Sequence, residues 1–163
     1  MKYLGYGLLL LLSPACMACV IEPSIVVRQL ETDNPSRVIA RLWDGHVCEM
    51  ELLDGLASGK ADWLRLAVAL QPHADAWAAE SLHMSLGTAM QNAPSRVLPL
   101  VGLHGFGDGP CVPTSFDDSP LGIRRDARTR LRAQTMFRRF LKTSLAPQAR
   151  RCLSALSKFE RSE

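Results

Sequence analysis

Proline and glycine breaks divide this chain into short stretches that favour helices, and this spacing most constrains its fold. Asp33-Asn34-Pro35, Ser58-Gly59 and Ala93-Pro94 each interrupt a run of apolar residues that recur every three to four positions. Ala, Leu and Arg are frequent between the breaks, and aromatic residues make up only 6% of the chain, which favours helices over sheets. We therefore predict an all-α protein, a compact stack of six to seven short helices stabilised by a disulfide.

The breaks also set the expected helix boundaries. Pro99 interrupts the segment 95–103. Ser119 or Asp118 can cap a helix that opens at Pro120. The segment 22–31 has the β-branched residues of a strand as well as a helical pattern, so a strand is the alternative there. Residues 104–120, rich in glycine and proline, form an irregular loop. The predicted helical segments are 22–31, 36–43, 47–57, 61–70, 75–90 and 95–103, followed by a basic helical part in residues 121–163.

A short internal echo accompanies two of these breaks. The run Pro35-Ser36-Arg37-Val38-Ile39 recurs as Pro94-Ser95-Arg96-Val97-Leu98. One interpretation is a duplicated helix-break-helix unit, whose two copies pack side by side as in helical repeat proteins. The other is that both runs simply share the residue types that start a helix.

Residues 1–18 have the composition of a secretory signal peptide. Lys2 supplies the positive start, residues 8–12 are all leucine, and small residues follow. Cleavage leaves residues 19–163 as a single helical domain, which we expect in the periplasm; a retained membrane anchor is the alternative. Cys16 and Cys19 each follow an alanine, as the lipidated cysteine of a bacterial lipoprotein does, so both are candidate lipidation sites. Soluble export and lipid anchoring both stay open.

Four cysteines remain after residue 18 and can pair in an oxidising compartment. Cys111 lies in the irregular loop and Cys152 in the last helical part, so we predict a disulfide between them that tethers the loop. If Cys19 is lipidated, Cys48 is left as a buried thiol. The chain has no Cys-x-x-Cys pair, and the sequence predicts neither a metal site nor a cofactor.

Charge is divided unequally along the chain. Residues 19–120 contain 6 Lys and Arg against 13 Asp and Glu, whereas residues 121–163 contain 12 against 3. At helical spacing the second part becomes a basic amphipathic helix. One face carries Arg124, Arg125, Arg128, Arg132, Arg138, Arg139 and Lys142, and the opposite face carries Ala133, Met136, Phe137, Phe140 and Leu141. Arg130 and Leu131 violate this pattern.

Three explanations of the basic face compete. The basic face can be solvated, or its charge can be neutralised by the acidic residues of the part 19–120 of the same chain. It can instead bind an acidic protein. Finally, it can bind an anionic membrane surface, provided that the aromatic face is free. Nucleic acid is not expected, because the chain is exported and lacks a recognition motif. Arg124, Arg128, Arg132 and Arg139 are the candidate partner-binding residues.

No catalytic motif is predicted. Glu80 and His83 have the Glu-x-x-His spacing of di-metal helices, but a second motif and further carboxylates are missing. Ser85 lacks the first glycine of a nucleophile elbow. We therefore expect a protein that is not an enzyme, although an enzyme of unrecognised type stays an alternative.

Three runs carry a resemblance to known proteins: Ala57-Ser58-Gly59-Lys60-Ala61-Asp62-Trp63-Leu64, then Asp75-Ala76, then Asn92-Ala93-Pro94-Ser95-Arg96-Val97-Leu98. Together they resemble small exported proteobacterial proteins of unassigned function. More distantly, the chain is similar to the helical periplasmic immunity proteins that block type VI secretion amidases by covering the active site of the toxin. The resemblance implies an inhibitory binding role but assigns it to no residue.

We therefore expect an exported, non-catalytic binding protein of the bacterial envelope, acting as an inhibitor or immunity-type protein by occlusion. The arginine residues or the loop 104–120 would supply its contacts. The alternative is a lipid-associated structural protein of the envelope, which an exposed Phe137 and Phe140 would favour.

Overall fold

Eight α-helices form the part of the chain that the computed structural model describes, residues 19–43, 46–113 and 119–160, and no strand occurs in these ranges. The all-α prediction is thus confirmed, with slightly more helices than the expected six to seven. The helices are α1 Pro23–Thr32, α2 Pro35–Trp43, α3 His46–Ala57, α4 Ala61–Leu70, α5 Ala76–Asn92, α6 Pro94–Val97, α7 Pro120–Phe140 and α8 Ala146–Phe159. Three 3-10 turns, Gln71–His73, Leu98–Leu100 and Gly109–Cys111, lie between them. The signal-peptide prediction falls on residues outside the described ranges.

Proline and short polar residues fix where these helices begin. α1, α2, α6 and α7 each begin at a proline, whose missing N–H would have no partner in the first turn anyway. Asp75 caps α5 by accepting a hydrogen bond from the Ala78 N–H at 2.9 Å, and Ser119 caps α7 through the Gly122 N–H at 3.1 Å. These local signals depend only on near neighbours in the chain, which is why the predicted starts lie close to the observed ones.

Two predicted boundaries were wrong. The segment 95–103 is helical only as far as Leu100, because Pro99 has no N–H for an α-helical bond and the chain tightens into a 3-10 turn. The basic part is two helices rather than one, since α7 ends at Phe140 and a turn precedes α8, so Lys142 is not part of the α7 face. The strand alternative for residues 22–31 is also wrong, because they form α1.

The two echoed runs begin helices in different surroundings. Val38 and Val97 occupy the same position in each copy and both are buried. However, α2 has nine residues and packs on α1 and α3, whereas α6 has four and packs on α5. Both runs therefore start a helix and bury the residue at their fourth position.

The core is organised around α5. Leu82, Leu86 and Met90 are fully buried where α5 meets α3, α6 and the turn Gly109–Cys111. α1 packs on α2 and α4, and α3 packs on α2 and α4. On the other side of α5, α8 contacts the turns Leu98–Leu100 and Gly109–Cys111, and α7 packs on α8. The basic helix α7 is therefore an outer layer, supported by α8.

Two disulfides fasten this arrangement. Cys111 is bonded to Cys152 with a Cα–Cα distance of 4.8 Å, which joins the loop to α8 as the sequence led us to expect. Cys19 is bonded to Cys48 of α3 with a Cα–Cα distance of 5.0 Å. The Cys19 sulfur cannot carry a disulfide and a thioether-linked lipid at once, so the candidate lipidation of Cys19 is incompatible with this structure. Cys16 lies outside the described residues.

Candidate functional site

The loop after residue 103 is packed against the core over its described part. Phe106 and Cys111 are buried, and the Phe106 ring lies in an edge-type contact with the His83 ring of α5, with 6.0 Å between centroids. The Arg151 side chain of α8 forms an ion pair with Asp108. A Cβ atom on Gly109 would lie 2.6 Å from His83 Nδ1, so the loop fits against α5 only with glycine at this position. Phe106, Asp108, Gly109 and Cys111 therefore hold the loop to the core, whereas His104 and Gly105 are exposed.

His83, half of the Glu80/His83 pair, packs against this loop. Burial lowers the pKa of His83 below its ordinary value of 6.5, and the nearby Glu80 carboxylate offsets this shift in part. Glu80 itself is exposed, and the buried His83 Nε2 has no hydrogen-bond partner. Among the described residues, no group of three or more His, Cys, Asp and Glu side chains is placed to hold a metal ion.

α7 rests on α8 through its apolar side. Ala133 and Phe137 are fully buried, and Phe140 is half-buried. The Gln134 amide donates a hydrogen bond of 2.7 Å to the carboxylate of Glu160, the residue that follows α8. Because Phe137 is buried against the protein, the aromatic face that a membrane would require is not free.

Arg130 breaks the sequence pattern because it belongs to the α7–α8 interface. Its side chain is only 6% exposed, and the guanidinium carbon lies 5.0 Å from the centre of the Phe159 ring. This is the distance of a cation–π contact. Phe159 is near the end of α8, so the contact ties the middle of α7 to the far end of its support.

The solvent side of α7 presents the predicted arginine residues. We define the arginine face as Arg124, Arg128, Arg132, Arg138 and Arg139, all of which are exposed. None of these five side chains makes a hydrogen bond or an ion pair with another described residue. No ion pair links these five side chains to an acidic residue described in the first half of the chain.

Two exposed leucine residues stand among these arginine residues, and the sequence pattern did not reveal their role. Leu121 is 76% exposed and Leu131 is 60% exposed. Each lies in a shallow hollow of the surface. One hollow is lined by Leu121, Arg124, Arg125, Arg128, Thr129 and Arg132, and the other by Leu131, Arg132, Thr135, Met136 and Arg139. The only sequence signal was that Leu131 violated the amphipathic pattern.

The site is thus an outer surface of α7 in which guanidinium groups surround exposed apolar side chains. Arginine is the cation that best forms paired hydrogen bonds to carboxylates, and arginine around an apolar anchor is a common composition of protein interfaces. Within the described residues, no helix is both long and apolar enough to cross a membrane. Its positive charge and exposed apolar side chains are a composition that an acidic protein surface would complement.

Comparison of the chain with protein-family models, with curated proteins and with solved structures gave no significant match.

Proposed function

We propose that this protein is an exported, non-catalytic binding protein of the bacterial envelope, which inhibits or neutralises another protein by covering part of its surface. The observation that carries the proposal is the arginine face of α7, where five exposed guanidinium groups have no partner among the described residues. Such a concentration of unpaired positive charge speeds the approach of an acidic partner and orients it.

Three further features support this function. The two disulfides are compatible with an oxidising compartment such as the periplasm. α7 is held by α8, which is itself bonded to the loop, so the face is presented on a rigid support and binding costs little ordering entropy. The all-helical, disulfide-bonded architecture is also that of the immunity proteins that the sequence resembles.

The lipid-associated alternative is less favoured. It requires an apolar face that can enter the bilayer, and Phe137 of α7 is fully buried in the protein.

Capture of a partner with matched charge variants tests the proposal. The oxidised chain 19–163 is immobilised, exposed to envelope extract of its host, and compared with R128E/R132E. The control R150E/K158E makes the same change in net charge at exposed positions of α8.

We expect one protein to be retained in near-equal amount by the wild type and by the control, and to be lost with R128E/R132E. Its activity, once identified, should be inhibited by the wild type and by the control only. Equal capture by both double variants, or capture of anionic lipid alone, would contradict the proposal.

A further inference from the structure

The spacing of the arginine and leucine residues along α7 indicates the shape of a partner, in addition to its charge. Arg124, Arg128 and Arg132 are four residues apart, so their attachment points rise along the axis by about 6 Å per step. Leu121 and Leu131 are ten residues apart, or about 15 Å along the same axis. The two hollows adjoin at Arg132, which is a wall of both, and together they form one continuous surface along α7.

Carboxylates complement this spacing when they are themselves on a helix. Acidic residues at every fourth position of a helix also rise by about 6 Å per step, so several can face successive arginine residues together. Apolar residues on the same side of that helix would reach the two leucine side chains. A convex helix surface with apolar ridges is the shape that another helix packs against.

The exposed leucine residues favour a helical protein partner over a phosphate-rich surface. Binding to phosphates depends on the positive charges alone and gains nothing from Leu121 or Leu131, whereas a protein partner would bury both. A membrane would need its apolar contacts gathered on one side, away from the cations, and here each leucine lies among guanidinium groups.

We propose that the arginine face binds an acidic amphipathic helix of another protein, with carboxylates opposite Arg124, Arg128, Arg132 and Arg139 and apolar side chains over Leu121 and Leu131. This inference rests on the proposed function and specifies the partner that it requires. Leu121 and Leu131 are then the contacts that set specificity, and the arginine residues set the rate and orientation of the encounter.

Synthetic peptides of defined composition test the inference without knowledge of the natural partner. The probe is a helical peptide of the same length as α7, with Glu at every fourth position and Leu between them on the same face. One control peptide replaces each Glu by Gln, and another replaces each Leu by Ala. Vesicles of phosphatidylglycerol serve as the phosphate-rich probe. Binding to the full chain 19–163 is measured by fluorescence anisotropy or by co-sedimentation.

We expect the peptide with both Glu and Leu to bind about tenfold or more tightly than either control peptide, because each control lacks either the charged or the apolar contacts. Leu131→Ser should weaken this peptide about fivefold to tenfold and leave the weak binding of the Ala control unchanged. Leu121→Ser provides a second, independent variant; both positions are exposed, so neither change should affect folding.

Equal binding of the Leu and Ala peptides, or vesicle binding that exceeds peptide binding and is unaffected by Leu131→Ser, would overturn the inference. The proposed function can be judged separately. If capture from envelope extract still depends on Arg128 and Arg132 while no helical peptide binds, the helix is refuted and the binding role stands. If capture does not depend on these residues, the binding role itself fails.

Discussion

The disulfide between Cys111 and Cys152 should contribute more to the stability of this protein than the one between Cys19 and Cys48. It joins the loop that covers α5 to α8, the helix that supports the arginine face. Both of its cysteine residues are fully buried, whereas Cys19 and Cys48 are half-buried. The perturbation is therefore the pair of double variants C111A/C152A and C19A/C48A, compared under the same oxidising conditions.

The lengths of the closed loops alone barely distinguish the two bonds. A sequence separation of 41 corresponds to about 4 kcal/mol of chain entropy at 25 °C, and a separation of 29 to about 3.6 kcal/mol. Burial makes the difference, because removal of each fully buried sulfur loses a further contribution of about 1 kcal/mol in apolar contact. We expect C111A/C152A to lose about 6 kcal/mol of unfolding free energy and C19A/C48A, whose half-buried sulfurs lose about half as much contact, to lose about 4.6 kcal/mol.

Urea unfolding followed by far-ultraviolet circular dichroism measures both losses, provided that the transition is two-state with a similar slope for each variant. A domain of this size has only about 5–15 kcal/mol to lose, so C111A/C152A should be close to unfolded at 37 °C. Equal losses for the two double variants, or a larger loss for C19A/C48A, would show that burial of the cysteine pair does not control its contribution.

Three further outcomes follow from single positions. The unfolded chain takes up a proton at His83 more readily than the native chain. The contribution of His83 to the unfolding free energy should therefore be constant above about pH 6.5 and fall as the pH drops from there to the lowered native pKa. His83→Gln should flatten this pH dependence, and an unchanged slope would contradict the argument. Gly55→Ala should destabilise the protein by about 1–3 kcal/mol, because the added Cβ would overlap the Trp63 ring. Gly87→Ala in α5 has room for the Cβ and should stabilise the protein by up to about 1 kcal/mol. Thermal unfolding measures both changes, and the same sign for both would refute the packing argument. Intact mass of the exported protein should show Cys19 oxidised and without a lipid, and an acyl mass that a Cys19→Ser variant lacks would show the opposite.

The part of the fold that followed from sequence is the part controlled by neighbours along the chain. Pro35, Pro94 and Pro120 start helices wherever they occur after a break, and Ser119 caps α7 with a hydrogen bond across three residues. The exposed arginine residues of α7 were also predictable, because charge at helical spacing rarely faces a core. The candidate site is therefore predicted as a surface of one helix, although its apolar component was not.

Contacts between distant segments decided the rest. Arg130 and Leu131 look misplaced in the sequence pattern, but Phe159 of α8 provides the buried site that accepts a guanidinium group, and Leu131 remains in solvent. In the loop, Phe106 and Gly109 pack against His83 of α5. This contact joins segments that are distant in sequence, so no local pattern predicts it.

The sequence by itself determined an all-α chain, its helix starts and the positive face of α7, because propensity, capping and periodicity act over a few residues. Only the tertiary structure decided that Cys19 pairs with Cys48, that Phe106 and Cys111 of the loop are buried, and that two leucine residues stand exposed among arginine residues. Each of these depends on which surfaces meet in three dimensions, and a residue's own neighbours in sequence do not specify that.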